Sequence, residues 1–363
     1  MENKNIIQRQ GKRSYVSYIM IPVVFVILSF AVRMEWINTY WTQVLLLAAV
    51  NGIVAMSLNL INGMTGQYCL GQAGFMSIGA YISAMCTKLL FAQLMTSVVP
   101  KYLLFVVALI VGGLVAGFVG FLIGIPSLRL RGDYLTIITL GFGEIIRVIW
   151  RVIPASGGAK GLNSIMKLSD IHVIFIAVVI IMFALRNFTN SRYGRNCISI
   201  RENELAAETM GINTTKSKIL AFVLSAFIAG IGGGLYSHLM TFINPENFNN
   251  LKSTDLLLYL YAGGVGSYTS ALLGALLFTL LPEFLRVLGL ADWRLVLYSL
   301  VLILIMINRP KGVFGKYEFG FMRYGYPENP HLKADNRGML SSLVQTIKQG
   351  ISRKKNFSGE DGK

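Results

Sequence analysis

Apolar positions in this chain fall in long, nearly uncharged runs separated by short polar stretches. Ten segments stand out: Val16–Val32, Val44–Ile61, a Gly-rich segment from Asn62 to Phe91, Tyr102–Ile125, Tyr134–Trp150, Ile171–Leu185, Ile219–Met240, a short segment Thr254–Ser270, Ala271–Leu288 and Trp293–Ile307. A continuous apolar run of about 18 residues is long enough to cross the hydrocarbon core as a helix. A membrane β-barrel would instead alternate apolar and polar residues in segments of about ten. The pattern predicts an all-α polytopic membrane protein of about ten transmembrane helices, with Thr254–Ser270 short or re-entrant.

Composition agrees: 54% of the residues are hydrophobic and 14% charged, whereas a soluble domain carries charge on about a quarter. The net charge of +16 would point to nucleic acid in a soluble chain. Here the lysines and arginines sit mostly in loops and tails, where the positive-inside rule accounts for them, and no nucleic-acid partner is expected. Residues 1–15 and the tail 309–363 are then cytoplasmic, flanking a membrane domain 16–308 whose basic loop 187–218 also faces inward. The first apolar run has no A-x-A-like cleavage site after it, so it reads as a retained span. Cys69, Cys86 and Cys197 have no metal-ligand spacing and read as small apolar fillers; no metal site is expected.

Polar groups inside the spans are the candidates for a pathway. Asn51, Asn59 and Asn62 share one face of the second span with Ala48 and Ala55, and that face must look into protein because unpaired amides in lipid are costly. The stretch Asn62–Tyr81 follows, with Gly66, Gly71 and Gly74 and the amides Gln67 and Gln72. It fits a broken helix beside a cavity, and equally a tight helix contact that needs glycine. A second Gly-interrupted segment, GGVGS at Gly263–Ser267, stands in the later half. Paired interruptions in two inverted halves point to a transport pathway, and Asn59, Asn62, Gly66, Gln67, Gln72 and Gly264 are its candidate residues. Glu144 with Arg147, and Glu283 with Arg286, are three apart and predict buried ion pairs inside the bundle.

The basic loop carries its own helix signals. Ser199 and Glu202 have capping-box spacing, and Gly211 stands where a left-handed C-cap belongs. Leu205, Ala206 and Met210 give the enclosed helix an apolar face. That face suits docking on a partner, and also packing on the chain itself. The chain has no P-loop, HExxH, GxSxG or Cys/His cluster, so an enzyme is not expected, nor a cofactor in this chain. If the loop couples to an energy source, that source is another polypeptide.

Three blocks in this order carry a family resemblance: Ser57–Tyr81, Leu128–Arg147 and Ser191–Ser267. The chain resembles the permease subunits of ABC importers for branched-chain amino acids, of the LivM type, over about Val44–Gly312. The resemblance implies ATP-driven inward transport of leucine, isoleucine or valine across a bacterial plasma membrane. It also implies partners: a second related permease, two ATPase subunits that use the ATP, and an extracytoplasmic binding protein. Within the resemblance, Arg201, Glu202, Glu204, Ala206, Ala207 and Gly211 match the coupling region, whose pattern is EAA-x-x-x-G. This chain departs from the pattern: Leu205 stands at the glutamate position and Glu204 one place earlier. Two alternatives stay open from the residues: a permease for urea or short amides, and an ion-coupled carrier using Glu144, Arg147, Glu283 and Arg286 as a charge relay.

Overall fold

A chain crossing hydrocarbon must satisfy its backbone internally, so apolar runs become helices and breaks occur only where protein surrounds them. A computed structural model of this protein describes residues 38–90, 98–128, 132–289, 293–309, 312–315 and 317–318. The expected span Val16–Val32, the basic N-terminus, Arg129, Arg131 and the tail beyond residue 318 lie outside the described residues.

The helices are α1 (Thr39–Asn59), α2 (Gln72–Met85), α3 (Val98–Ser127), α4 (Asp133–Val152), α5 (Ile171–Asn190), α6 (Arg192–Glu202), α7 (Glu204–Thr209), α8 (Thr214–Met240), α9 (Asn250–Gly263), α10 (Tyr268–Val287) and α11 (Arg294–Asn308). A π-helical turn, Leu60–Met64, extends α1. Among the described residues, five helices are long and apolar enough to cross a membrane: Thr39–Met64 and α3, α5, α8 and α10. The protein is an all-α, multi-pass membrane protein. Helix α4 is long enough, but Glu144, Arg147 and Arg151 lower its hydropathy.

Two halves are visible in the packing. Helix α1 lies antiparallel to α10: Gly52 faces Leu272, and Asn51 reaches Thr279 nearer the far end of α10. Helix α8 lies antiparallel to α3 in the same way, with Ala226 facing Gly120 and the His238 ring 4.6 Å from that of Phe105. Thus the first helix of each half packs on the third helix of the other. Helices α1 and α8 themselves run antiparallel, with Ser225 against Ser57 and Gly232 against Val54. They form the centre: 83% of the apolar window of α1 and 61% of that of α8 are buried, against 28% for α5.

The second helix of each half is short. Helix α9 has 14 residues, about 21 Å at 1.5 Å per residue against a core of about 30 Å, and α2 has 14 residues continued by a π-helical turn, Cys86–Leu90. Their N-terminal ends meet, where Ala73 N–H donates to Ser253 Oγ at 3.1 Å. This corrects the pairing of the Gly-rich stretch with GGVGS. The segment 65–71 leads back from α1 to the start of α2, and its counterpart is 241–249, which leads back from α8 to the start of α9. That second segment is built on asparagines: Asn244 caps the 3-10 turn Pro245–Phe248, and Asn249 caps α9 through Lys252 N–H. The expected short span Thr254–Ser270 therefore starts earlier, at Asn250, and breaks at Gly264, where α10 follows from Tyr268.

Candidate functional site

The basic loop folds into an elbow of two helices. Ser191 caps α6, its hydroxyl accepting from Gly194 N–H. The chain then breaks at Asn203, in extended backbone (φ −160°), whose side chain caps α7 by accepting from Ala206 N–H at 3.0 Å. The expected capping box at Ser199–Glu202 is not formed: Ser199 lies inside α6, with its hydroxyl on Arg195 O at 3.0 Å. Asparagine in extended backbone is among the strongest N-caps, so it divides the segment where one helix of about three turns was expected. The far end is as the sequence predicts. Gly211 has φ +82°, Gly211 N–H bonds Glu208 O, and Ile212 N–H bonds Ala207 O, each at 3.0 Å. These are the two hydrogen bonds of a Schellman C-cap.

This elbow is fastened to α8. Lys218 Nζ lies 2.7 Å from Glu204 Oε1, and Thr214 Oγ1 donates to Glu208 at 2.9 Å. Ala207 and Cys197 are buried, whereas Leu205 and Met210 stand 64% and 81% exposed. Part of the apolar face expected for this helix therefore points away from its own chain. Lys218 closes the basic loop 187–218, and its partner lies 14 residues away across a turn, a spacing with no helical signature.

Arg201 joins the elbow to the Gly-rich stretch. Its guanidinium donates to Gly63 O at 2.9 Å and pairs with Glu202 at 2.6 Å. A cavity of about 290 Å³ opens here, lined by Gly66, Gln67, Arg201, Glu202, Glu204 and Lys218 among others. It brings Gly66 and Gln67 together with Arg201, Glu202 and Glu204, which are expected at the coupling region. Gly66 needs its positive φ (+70°), and a Cβ there would press on Arg201. The other pathway candidates lie elsewhere. Asn59 Oδ1 accepts from Gly266 N–H at 2.9 Å, and Asn62 Oδ1 from Cys69 N–H at 3.3 Å. Gly264 (φ +139°) is covered by the segment after α11: a Cβ would lie 2.1 Å from Gly315 O. Val313 and Phe314 donate to Ala262 O and Gly263 O there. Gln72 stands at the start of α2, donating to Ser57 and Ser225.

The charged candidates pair as their spacing predicts, but the pairs are not buried as expected: Arg147 and Glu144 are 19% and 27% exposed, and Arg286 and Glu283 44% and 26%. Arg147 bonds Glu144 at 2.6 Å and also Glu246, at 2.7 Å, in the segment before α9; Arg151 joins Glu246. Glu283 lies 3.4 Å from Arg286 and bonds Tyr40 OH. His238 is fully buried, with contacts to Thr87, Ser237 and Gly234 O.

Comparison with known proteins adds identity to this geometry. Residues 40–306 match the family model described as branched-chain amino acid transport system / permease component. The chain is 31% identical over 297 residues to the high-affinity branched-chain amino acid transport system permease protein LivM of Escherichia coli, covering 72% of this chain and 67% of that one. It is 24% identical over 290 residues to a probable LivM permease of Methanocaldococcus jannaschii, covering 73% and 81%. It is also 29% identical over 147 residues to the LivH permease of Escherichia coli, covering 40% and 47%. No solved structure matches it significantly.

Proposed function

Because the chain belongs to the family of branched-chain amino acid transport system permease components, we propose that it is one of two related permease subunits of an ABC importer. The importer carries leucine, isoleucine or valine inward across the bacterial plasma membrane. Two separate ATPase subunits hydrolyse the ATP, and an extracytoplasmic binding protein delivers the substrate. This chain holds no cofactor of its own.

The observation that carries this reading is the elbow α6–α7. It is capped at both ends, presents Leu205 and Met210 outward, and is pinned to α8 by Glu204–Lys218. An ATPase subunit docked on that apolar face pushes on a stiff element. The push reaches α8 through Glu204 and Glu208, and the end of α1 through Arg201 and Gly63 O. Those are the central helices, and α8 meets α2 at glycines, where packed helices slide between discrete arrangements. Access then alternates around the junction of the two half-helices.

The test is uptake into proteoliposomes of this chain assembled with the permease, ATPases and binding protein encoded beside it. ATP-dependent uptake of labelled leucine supports the reading. ATP-dependent uptake of urea instead keeps the architecture and replaces the substrate. Uptake driven by an ion gradient without ATP overturns it in favour of a carrier.

A further inference from the structure

At the junction of the half-helices stands a cation that the coupling argument does not use. Lys252, in the first turn of α9, donates from Nζ to Asn51 Oδ1 at 2.9 Å. Asn51 is 1% exposed and donates in turn to Thr279 Oγ1 at 3.2 Å, so two neighbouring helices orient the amide that holds the ammonium. Among the described residues no carboxylate lies within ion-pair distance of Lys252. The nearest acidic influence is Asp255, one turn along the same helix. An ionisable side chain at this depth, held by neutral groups, is costly and marks a pathway.

A second group at the same junction lacks a partner of the opposite kind. Gln72, the first residue of α2, is fully buried and its Oε1 accepts nothing. Its orientation is forced by its neighbours. The Ser57 hydroxyl donates to Val54 O and the Ser225 hydroxyl to Ser57 O, so both can only accept, and the Gln72 Nε2 must face them. The carbonyl is left over. Buried acceptors without donors are rare in native proteins. Ala73 N–H on Ser253 Oγ places Gln72 and Lys252 on either side of one contact. A line of aromatic rings leads away from it: Lys252 Nζ lies 6.0 Å from the Tyr236 ring, Tyr236 packs on Phe248, and Phe248 on Tyr81.

A cation without an ion-pair partner, a carbonyl without a donor and an apolar wall are the complement of a zwitterion with an apolar side chain. We propose that Lys252 receives the carboxylate of the transported amino acid at the meeting of the two half-helices, with the Gln72 carbonyl taking its ammonium. This deepens the importer reading and rests on it.

The test uses the full reconstituted importer, with the amount of assembled complex measured for each variant. Lys252→Met removes the charge, Lys252→Arg keeps it, and Lys252→Met with Asp255→Asn removes both charges of the helix turn. If Lys252 receives the carboxylate, Lys252→Met loses leucine uptake by about 30-fold or more, Lys252→Arg retains part of it, and the double variant stays inactive. Normal uptake by Lys252→Met, or uptake regained by the double variant, shows a residue that only balances Asp255 and overturns the proposal. If Lys252→Met does not assemble, Lys252→Gln, which keeps a donor for Asn51 without the charge, decides on the same criteria. No leucine uptake by the wild-type complex would refute the importer reading itself, a result separate from any of these.

Discussion

Lys218 Nζ lies 2.7 Å from Glu204 Oε1, and the two side chains are unequally buried, 5% exposed for Lys218 and 28% for Glu204. Removing one partner of a buried pair leaves the other charge uncompensated, and the cost follows the burial of what remains. Glu204→Gln leaves a buried ammonium and is expected to lower the thermal midpoint of the complex further than Lys218→Met, which leaves a carboxylate near water. The double variant is expected to recover part of the loss. Midpoints unchanged from wild type in both single variants would show that the pair does not hold α7 to α8.

Gly211 closes the elbow with φ +82°, and a Cβ built there meets nothing within 4 Å. A substitution is therefore penalised by backbone conformation and not by a clash, at roughly 1–2 kcal/mol for a residue that resists the left-handed region. Gly211→Val is expected to uncouple ATP hydrolysis from leucine uptake while insertion is unchanged. Gly211→Asn, which tolerates this conformation, is expected to stay near wild type. The ratio of leucine transported to ATP hydrolysed checks both, and equal ratios for Val and Asn would remove the cap from the coupling mechanism.

The spans were legible because a bilayer imposes one solution on a long apolar run, and the C-cap was legible because glycine after a helix has a specific conformational reason. Local spacing predicted the Glu144–Arg147 and Glu283–Arg286 pairs, and the distances agree. What the sequence hid was non-local. Lys218 reads as one positive charge among many until its pairing with Glu204 is visible. The start of α9 escapes the hydropathy pattern because Lys252, in its first turn, depresses the local hydropathy, although Asn51 on α1 holds its ammonium. The true counterpart of the Gly-rich stretch was missed because 241–249 makes its turns with asparagine caps in place of glycines. The capping box at Ser199 failed because it competes with Asn203, and spacing alone does not rank two caps.

Burial pushes the Cys197 thiol, in α6, up to about 12 from the usual 9.0. The neutral thiol is favoured by the fold, so its contribution is fully present below 9.0 and is lost as pH rises towards about 12. The thermal midpoint of wild type relative to Cys197→Ala is expected to shrink as pH is raised through that window. At pH near 8 the native thiol is expected to resist alkylation by a maleimide and to react once the chain is denatured. Rapid native labelling of Cys197 would mean that α6 opens from α8.

Helices α2 and α8 touch backbone to backbone. A Cβ on Gly233 would lie 1.8 Å from Met76 O, and one on Gly79 would lie 1.9 Å from Gly230 O. Neither carbonyl can move without breaking its helix, so Gly233→Ala must push the two helices apart, at about 3 kcal/mol, the upper end for overpacking. Gly141, in α4, is the internal control: a Cβ there meets nothing within 4 Å. Gly141→Ala is expected to leave stability unchanged or raise it by up to about 1 kcal/mol through helix propensity. Thermal midpoints of the purified chain in detergent separate the two. Because α8 carries the coupling elbow at one end and α2 begins at the junction of the half-helices, Gly233→Ala is also expected to abolish leucine uptake at temperatures where the complex stays assembled. Uptake preserved in that variant would mean that transport does not require the close α2–α8 contact.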